Sequence, residues 1–550
     1  MTTSSPTPLT PPTETPRRVW ILLAITAVAA LLRMPLMGRP VWFDEACMSD
    51  QRIGTTAQWL ATLYVDIHPP LFVSFMHFWN GWFGDDALTM RLPALLSGLL
   101  CIPLTWWTGH RLVGDRAALL ACLLLALSPV HVWYCAEARL YAPMIACALL
   151  AFGCVDRLTD RAVRRPRLLF TLHAVNVAVM LSLHYYLSVF VAALAALAPL
   201  LARGSGRRVA GLLWLHGVGL ALLAAFLFLK LQLGQLETSQ HYLSALDGRA
   251  LFEFLFSWCW TGETLQATSS SALQSWGAAA VWFGVGLLAL GTVQLFLRAR
   301  RHPRGLLTLV GLLTLPAFLL ACALVGLDST FVNRTSIAAL PFVLLLAGAG
   351  VELLPAVLRK AAAGAALTCA GAALAALYFT YETEWTLYKP HPDWQSAAAY
   401  LADEIDAGAS GAPVFTSMPN PRSLSYYEPR IQDAKNLEVR LRPAEIAAKV
   451  EKLAGAALGA RAGALFQEFA THNRCLLAQA DLVIRRSRPR AAELALPDGH
   501  RGPCYLVRNR WHPHPSVDDS IEQLLLDPAV EVLHTQRCRG VTIYKVRIGE

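Results

Sequence analysis

The sequence predicts an all-α polytopic membrane module with about 11 transmembrane helices and a large external first loop, followed by a C-terminal extracytoplasmic α/β domain. Three observations predict it. The chain of 550 residues is 55% hydrophobic and only 15% charged, whereas a soluble chain carries about 25% charged residues. Its apolar residues gather in long runs separated by short basic loops. After about residue 382 the chain turns polar, and short strand-like and helix-like stretches alternate.

Residues 1–16 are rich in Thr and Pro and are expected to be disordered. Arg17-Arg18 then lead into an apolar run. No small-residue cleavage site precedes Arg33, so the run reads as a retained first helix rather than a signal peptide. The membrane module is expected over 17–381. Its runs fall at about 19–37, 89–109, 115–132, 141–156, 168–183, 187–202, 209–230, 276–297, 305–327, 334–353 and 361–380, each near the ~20 residues that a bilayer needs.

The loops Arg17-Arg18, His110-Arg111 to Arg116, Arg157 to Arg167, Arg203 to Arg208, Arg298 to Arg304 and Arg359-Lys360 hold the basic residues. When the runs alternate, all of these loops fall on one side, which makes that side the cytoplasm. The net charge of +9 is thus a topology signal and gives no reason to expect nucleic acid as a partner. A further apolar stretch, 69–83, opens with Pro-Pro and contains His77 and Asn80. Counting it as a crossing would reverse every later loop, so it is expected to lie in the interface or to re-enter. The first loop that holds it is too long for a simple connector. Its Trp42, Trp59, Trp79 and Trp82 suit interfacial helices.

The tail, 382–550, is expected outside the membrane on the side opposite the basic loops. A helix is expected near Asp393–Ile405 and another over Ala444–Ala457. Strands are expected at Pro413–Ser417, Asp481–Ile484, Cys504–Val507 and Val541–Val546. The 12 cysteines show no metal-like CxxC spacing, and many lie in apolar runs as small core residues. Cys475, Cys504 and Cys538 fall in the tail, where one pair could form a disulfide in an oxidising compartment. No internal repeat of the transporter kind is visible.

The chosen topology gathers Asp44, Glu45, His68, Arg91, Glu137, Arg139, His184 and Arg334 near the extracytoplasmic face, and Tyr141 belongs to the Glu137–Arg139 cluster as a further substrate-binding candidate. Adjacent carboxylates beside a bilayer are costly to hold there, which makes Asp44-Glu45 a candidate catalytic pair. In extended chain, neighbours face opposite ways. One acid is then expected to meet the acceptor while the other holds a basic residue or a metal. The structural alternative is a helix cap starting near Ala46. His68 precedes the rigid Pro69-Pro70 turn. Glu137 and Arg139 could neutralise each other, or Glu137 could supply a second acid. Arg334 opens a membrane run, where a cation opposes the helix dipole but suits a bidentate phosphate contact; Arg91 ranks with it. His184-Tyr185-Tyr186 occupies a tight external turn that could line the same cavity.

Asp44-Glu45, His68-Pro69-Pro70-Leu71, Met90-Arg91-Leu92-Pro93 and Glu137-Ala138-Arg139-Leu140-Tyr141, in that order, resemble the GT-C class of integral-membrane glycosyltransferases. The likeness is closest to bacterial relatives of protein O-mannosyltransferases and of the lipid A aminoarabinose transferase, and it covers about 20–380. The resemblance implies a polyprenyl-phosphate sugar donor and an active site outside the bacterial cytoplasmic (inner) membrane. It implies Asp44 as base, Glu45 as its partner acid, and His68 and Arg91 as first-loop site residues. Arg334 would lie near the donor phosphate. Those relatives carry Leu-Asp near the position of Tyr141-Ala142; this chain has no acid there and offers Glu137 instead. The tail shows no match to the lectin-like inserts of eukaryotic O-mannosyltransferases, and no Trp-Trp-Asp signature of oligosaccharyltransferases is visible.

The expected reaction is inverting transfer of a sugar from polyprenyl monophosphate to an envelope acceptor: a lipid, glycan or protein. Beyond donor and acceptor, membrane lipids are the expected partners. No cofactor is required by this reading; two acids and His68 could hold a divalent ion, and the class includes members that need none. The alternative from another class is a polytopic transporter or lipid flippase, whose charges should lie near the bilayer midplane. A third is a sensor or scaffold with the tail as its binding module.

Overall fold

The computed structural model describes residues 15–49, 59, 63, 68–202, 206–232, 252–262, 271–299, 303–324, 333–379, 392–409, 412–416, 422–431, 435–436, 451, 456, 460–461, 464, 502–509 and 519–549. Apolar runs dictate what the first two-thirds becomes. α1 (Thr15–Met37) leads to a single turn, α2 (Phe43–Ala46), and then α3 (Leu71–Phe83). α4 (Ala87–Leu112), α5 (Asp115–Leu127), α6 (Pro129–Cys135), α7 (Tyr141–Leu158), α8 (Pro166–Leu183), α9 (Leu187–Leu201) and α10 (Gly206–Gln232) follow. The bundle closes with α11 (Ser271–Ala299), α12 (Leu306–Leu324), α13 (Leu340–Leu353) and α14 (Ala356–Phe379).

Each of the eleven expected runs meets a helix. The protein is a multi-span membrane protein, but the count of eleven is not reached by length. Among the described residues nine helices are long and apolar enough to cross, and the bent pair α5–α6 makes a tenth. α9 is apolar but only 15 residues long. The run read as 115–132 breaks by 60° between α5 and α6. Ser128 caps the new helix by accepting from the His131 N–H at 3.3 Å, and Pro129 sits at its first position. The break frees carbonyls of α5 in an apolar setting. Arg33 of α1 donates to Ala126 O (3.3 Å), Leu125 O (3.5 Å) and His131 Nδ1 (2.6 Å), which satisfies them.

α13 is the hub: 89% of the apolar stretch Ser336–Leu353 that contains it is buried inside the protein. Small residues let its backbone touch α11. A Cβ on Gly350 would sit 2.0 Å from Leu287 O, and one on Gly291 would sit 2.1 Å from Leu346 O. Close approach through small residues drives helix association where lipid removes the hydrophobic drive.

Side-chain contacts divide the bundle into two ends. At one, Arg111 bonds Asp156, and also Asp160 at 2.8 Å. Arg304 reaches Asp160 at 2.9 Å and Asp156 at 3.5 Å, and Arg208 donates to Asp160 O at 2.8 Å. Arg18 pairs with Asp115 at 3.4 Å. These arginines come from four of the basic loops assigned to one face. The opposite end carries the loops around Asp44, Glu137, His184 and Arg334. α3 lies there too. With 13 residues between Pro70 and Gly84 it is shorter than a span. Its buried side holds Phe72, Val73, Met76 and Asn80, and Asn80 donates to Met48 O at 2.5 Å. Phe75, Phe78, Trp82 and Phe83 remain exposed.

The tail forms a five-stranded mixed sheet in the order β2-β1-β3-β5-β4. α15 (Trp394–Glu404) starts where Asp393 accepts from the Ser396 N–H at 3.0 Å. β1 (Val414–Thr416), α16 (Arg422–Tyr427), β2 (Lys435–Asn436), β3 (Cys504–Asn509), α17 (Asp519–Leu525), β4 (Val530–Cys538) and β5 (Val541–Ile548) follow. β1 runs parallel to β2 and β3, and β5 runs antiparallel to β3 and β4. Trp394, Ala397 and Leu401 of α15 cover Tyr505, Val507 and Ile543 on one face. Ile521 and Leu524 of α17 cover Phe415, Leu506 and Val546 on the other. The helix expected near 393–405 and three of the expected strands are present, and β2 and β4 are additions. Asp481–Ile484 lies outside the described residues, as does Ala444–Ala457 apart from 451 and 456. Cys504 and Cys538 are free thiols at opposite ends of their ladders, facing Val546 and Val541 respectively. A bridge between those two is therefore ruled out by register, and Cys475 lies outside the described residues.

Candidate active site

α2 is one helical turn, so Asp44 and Glu45 diverge by about 100°. Glu45 turns inward and has no exposed surface. Its Oε1 accepts from Arg91 Nε (2.7 Å) and from the Ala138 N–H (2.9 Å). Its Oε2 accepts from Arg91 Nη2 (2.6 Å) and the Trp42 N–H (3.4 Å). Arg91, on α4, spends its other donors on backbone. Nη1 bonds Met37 O (2.7 Å) and Arg39 O (2.8 Å), and Nη2 also bonds Pro40 O (3.2 Å). A guanidinium has five N–H donors, and five acceptors surround this one. The end of α1, the approach to α2, α4 and the 136–140 turn are thereby joined through one buried ion pair. Arg91 has no donor to offer a phosphate.

Asp44 turns the other way, and its side chain is 19% exposed. Its Oδ2 lies 4.0 Å from Arg334 Nη1, on a guanidinium side chain that is 34% exposed. Arg334 belongs to a short 3-10 stretch, Asn333–Ala339, that leads into α13. Tyr141, Tyr134 and Glu137 all lie within electrostatic reach of it. Tyr141 opens α7 and meets Tyr134 edge to face at 4.8 Å; Tyr134 in turn lies 6.2 Å from Trp258.

Glu137 is almost wholly buried, and its Oε2 has no hydrogen-bond partner among the described residues. Burial, then the neighbouring Glu45 carboxylate, push its pKa up to about 7; Arg39 and Arg334 oppose the rise. Arg39 itself stacks on the Trp133 ring at 3.8 Å and donates to Ala136 O at 2.9 Å. It pins the turn that presents Glu137.

His68 and His184 form a neighbouring group, with rings 5.5 Å apart and inclined at 60°. His184 Nδ1 accepts from the Tyr186 N–H at 3.1 Å, which leaves Nε2 as the protonated nitrogen. Burial, then His68 and Arg139, hold its pKa well below the ordinary imidazole value. The buried Arg139 lies close enough to influence both His184 and Tyr141, so it links the two groups.

The sequence-derived residues thus divide. Asp44, Glu137, Tyr141 and Arg334 converge on one exposed acid–cation pair. His68, Arg139 and His184 adjoin it. Glu45 and Arg91 are withdrawn from it to hold the loop. A divalent site built from Asp44, Glu45 and His68 does not fit, because both Glu45 oxygens are taken by Arg91 and backbone N–H groups. No group of three potential metal ligands is found among the described residues. Sequence reasoning missed Tyr134, Trp258 and the Arg39 staple. The Trp258-Cys259-Trp260 segment, in the stretch 231–275 expected to be an external loop, was the one available signal for Trp258.

This arrangement can be set beside known proteins. Residues 67–229 match the family model described as dolichyl-phosphate-mannose-protein mannosyltransferase. Among curated proteins no match was found. Among solved structures, ArnT from Cupriavidus metallidurans in the apo state is similar over 96% of this chain and 98% of that chain, at 12% identity and a TM-score of 0.54. The same protein bound to undecaprenyl phosphate gives 12% identity and a TM-score of 0.54 over the same shares. The chain carries the GT-C fold. A weaker likeness is to the arabinofuranosyltransferase AftD from mycobacteria: 16% identity and a TM-score of 0.44 over 97% of this chain and 42% of that one. The family match takes in His68, Arg91, Glu137, Arg139, Tyr141 and His184, while Asp44, Glu45 and Arg334 lie outside it.

Proposed function

We propose that this protein is a glycosyltransferase that moves a sugar from a polyprenyl monophosphate to an envelope acceptor, with inversion, at the outer face of the bacterial cytoplasmic membrane. Residues 17–381 form its membrane module, and 382–550 form its extracytoplasmic domain. The observation that carries the reading is the Asp44–Arg334 pair, a solvent-reached acid 4.0 Å from a solvent-reached guanidinium at one end of the bundle. Asp44 takes the proton of the acceptor hydroxyl or amine. The acceptor forms its bond to the anomeric carbon as the bond to the lipid phosphate breaks, and the phosphate leaves with the electron pair. Arg334 stabilises that growing charge. The undecaprenyl phosphate seen on ArnT, a protein of the same fold, supports a lipid-linked donor.

Glu45 and Arg91 shape the loop instead of touching substrate. Glu137, buried and within electrostatic reach of Asp44 and Arg334, is the second acid of the site. A transporter or flippase reading expects charge along the midplane. The ion pairs described in the bundle gather at its two ends; between them, Arg33 bonds His131 and helix carbonyls, and His173 meets His216 through one ring nitrogen each.

The test uses purified full-length protein in nanodiscs with a panel of radiolabelled polyprenyl-phosphate sugars and membrane extract as acceptor. Transfer that needs Asp44 supports the reading. Absence of transfer from every donor, by wild-type protein that is folded, overturns it.

A further inference from the structure

Among the described residues, α16 is where the C-terminal domain packs against the membrane module. Its last two residues, Tyr426 and Tyr427, stand edge to face at 5.0 Å and 88°. Tyr427 packs against the hydrophobic clusters of both the bundle and the sheet. Its phenol oxygen accepts from the Val41 N–H at 2.5 Å, and Val41 has no exposed surface. Tyr426 donates to Asp85 O at 2.8 Å. The two phenols therefore grip the two ends of the first loop. The Tyr427 contact falls three residues before Asp44. The same stretch, Met37 to Pro40, is held from within the bundle by Arg91 through three carbonyls. The approach to Asp44 is thus fixed from below by a membrane helix and from above by the tail.

We propose that Tyr427 is a positioning residue. It holds the Val41 backbone, and so sets where the Asp44 carboxylate stands relative to Arg334, which makes the C-terminal domain part of the reacting site. This rests on the reading of Asp44 as the base. Geometry near a reacting group is costly to lose: a displacement of about 1 Å can slow a reaction by roughly 10²-fold. Tyr427→Phe removes the acceptor oxygen and keeps the ring, so the buried Val41 N–H loses its partner while the packing between domains persists.

The experiment compares wild type, Tyr427→Phe and Tyr426→Phe as full-length protein. Transfer rate is measured against donor concentration, and hydrogen–deuterium exchange is followed over peptides covering 38–46. For Tyr427→Phe we expect kcat to fall roughly five- to tenfold with donor KM unchanged, on the scale of one hydrogen bond. Exchange should rise over 38–46 alone. Tyr426→Phe, whose bond lies at the far end of the loop, should stay within about twofold of wild type. An unchanged kcat in Tyr427→Phe overturns the proposal. So does an equal loss in both variants, or exchange raised across the transmembrane helices, since each would make Tyr427 merely part of a structural contact. Failure of wild type to transfer sugar would instead sink the enzymatic reading itself.

Discussion

Glu45 and Arg91 form an ion pair at 2.6 Å in which neither side chain has exposed surface. A buried pair owes its stability to complete hydrogen bonding, and breaking it by removing one partner costs about 3–5 kcal/mol. Glu45→Gln and Arg91→Lys are therefore expected to lower the melting temperature in detergent and the yield of folded protein. Lysine brings three donors where five are used. Variants that melt with wild type yet fail to transfer sugar would show that these residues act on substrate directly.

Asp44→Asn should do the reverse. Asn preserves size but cannot accept a proton at neutral pH, and loss of general base catalysis costs about 10²- to 10⁴-fold. The melting temperature should stay close to wild type. Wild-type turnover in this variant would remove Asp44 from the proposed role.

Arg334 should be felt through the donor. Arg334→Lys keeps the charge but loses the planar fork, and a lost charge-assisted hydrogen bond of about 1.5–3 kcal/mol corresponds to roughly ten- to a hundredfold in donor efficiency. Arg334→Ala should be worse. Donor saturation curves at fixed acceptor for the three proteins decide it; three coincident curves would leave Arg334 as an interfacial anchor.

Glu137 predicts a pH dependence of stability. Its pKa stands at about 7 in the folded protein against an ordinary value of 4.5. Between those values the folded state binds more protons than the unfolded state, so stability falls as pH rises through that window and levels off above about 7. Glu137→Gln removes the penalty. It should match wild type near pH 4.5 and exceed it by about 3 kcal/mol at pH 8, in proportion to the shift. Thermal melts from pH 4.5 to 8 measure the gap, and a gap that shrinks as pH rises would contradict the assignment.

Topology is checked at the end of α3. Gly84 has φ 91° and the Asp86 side chain caps α4 by accepting from Leu88 N and Thr89 N, so neither is a good place for a new side chain. Asp85 keeps its carbonyl contact to Tyr426 in any variant, and Asp85→Cys should react with an impermeant thiol reagent added to intact cells. Labelling only after permeabilisation would mean that α3 crosses the bilayer.

The helices were legible because long apolar runs and basic loops are strong signals, and each expected run is helical. The break at Pro129 was passed over, although Ser128-Pro129 is a helix-start signal, because both sides of it are apolar and together make up the length of one span. β4 was missed because Glu531 to Thr535 are exposed in succession, so no alternation betrays a strand. At the candidate site, the clustering of Asp44, Glu137, Tyr141 and Arg334 followed from loop parity. The inward turn of Glu45 did not: whether Asp44 or Glu45 faces solvent depends on one helical turn and on an arginine 46 residues away. Tyr427 was invisible for the same reason, lying 386 residues from its partner Val41.

The ionic knot around Asp160 has a mechanical consequence. Arg111, Arg208 and Arg304, from three separate segments, all meet this one residue, by side chain or by carbonyl. Sliding any of those helices past the others would break charge-assisted bonds. That end behaves as the rivet of a fan. If the bundle must spread to admit a bulky lipid, the parting has to come at the far rim, between Asp44, whose approach Arg91 and Tyr427 hold, and Arg334, 4.0 Å away on a different segment. A reagent or substitution that loosens the rivet should then blur the spacing at the rim, although the two are separated by the full length of the helices.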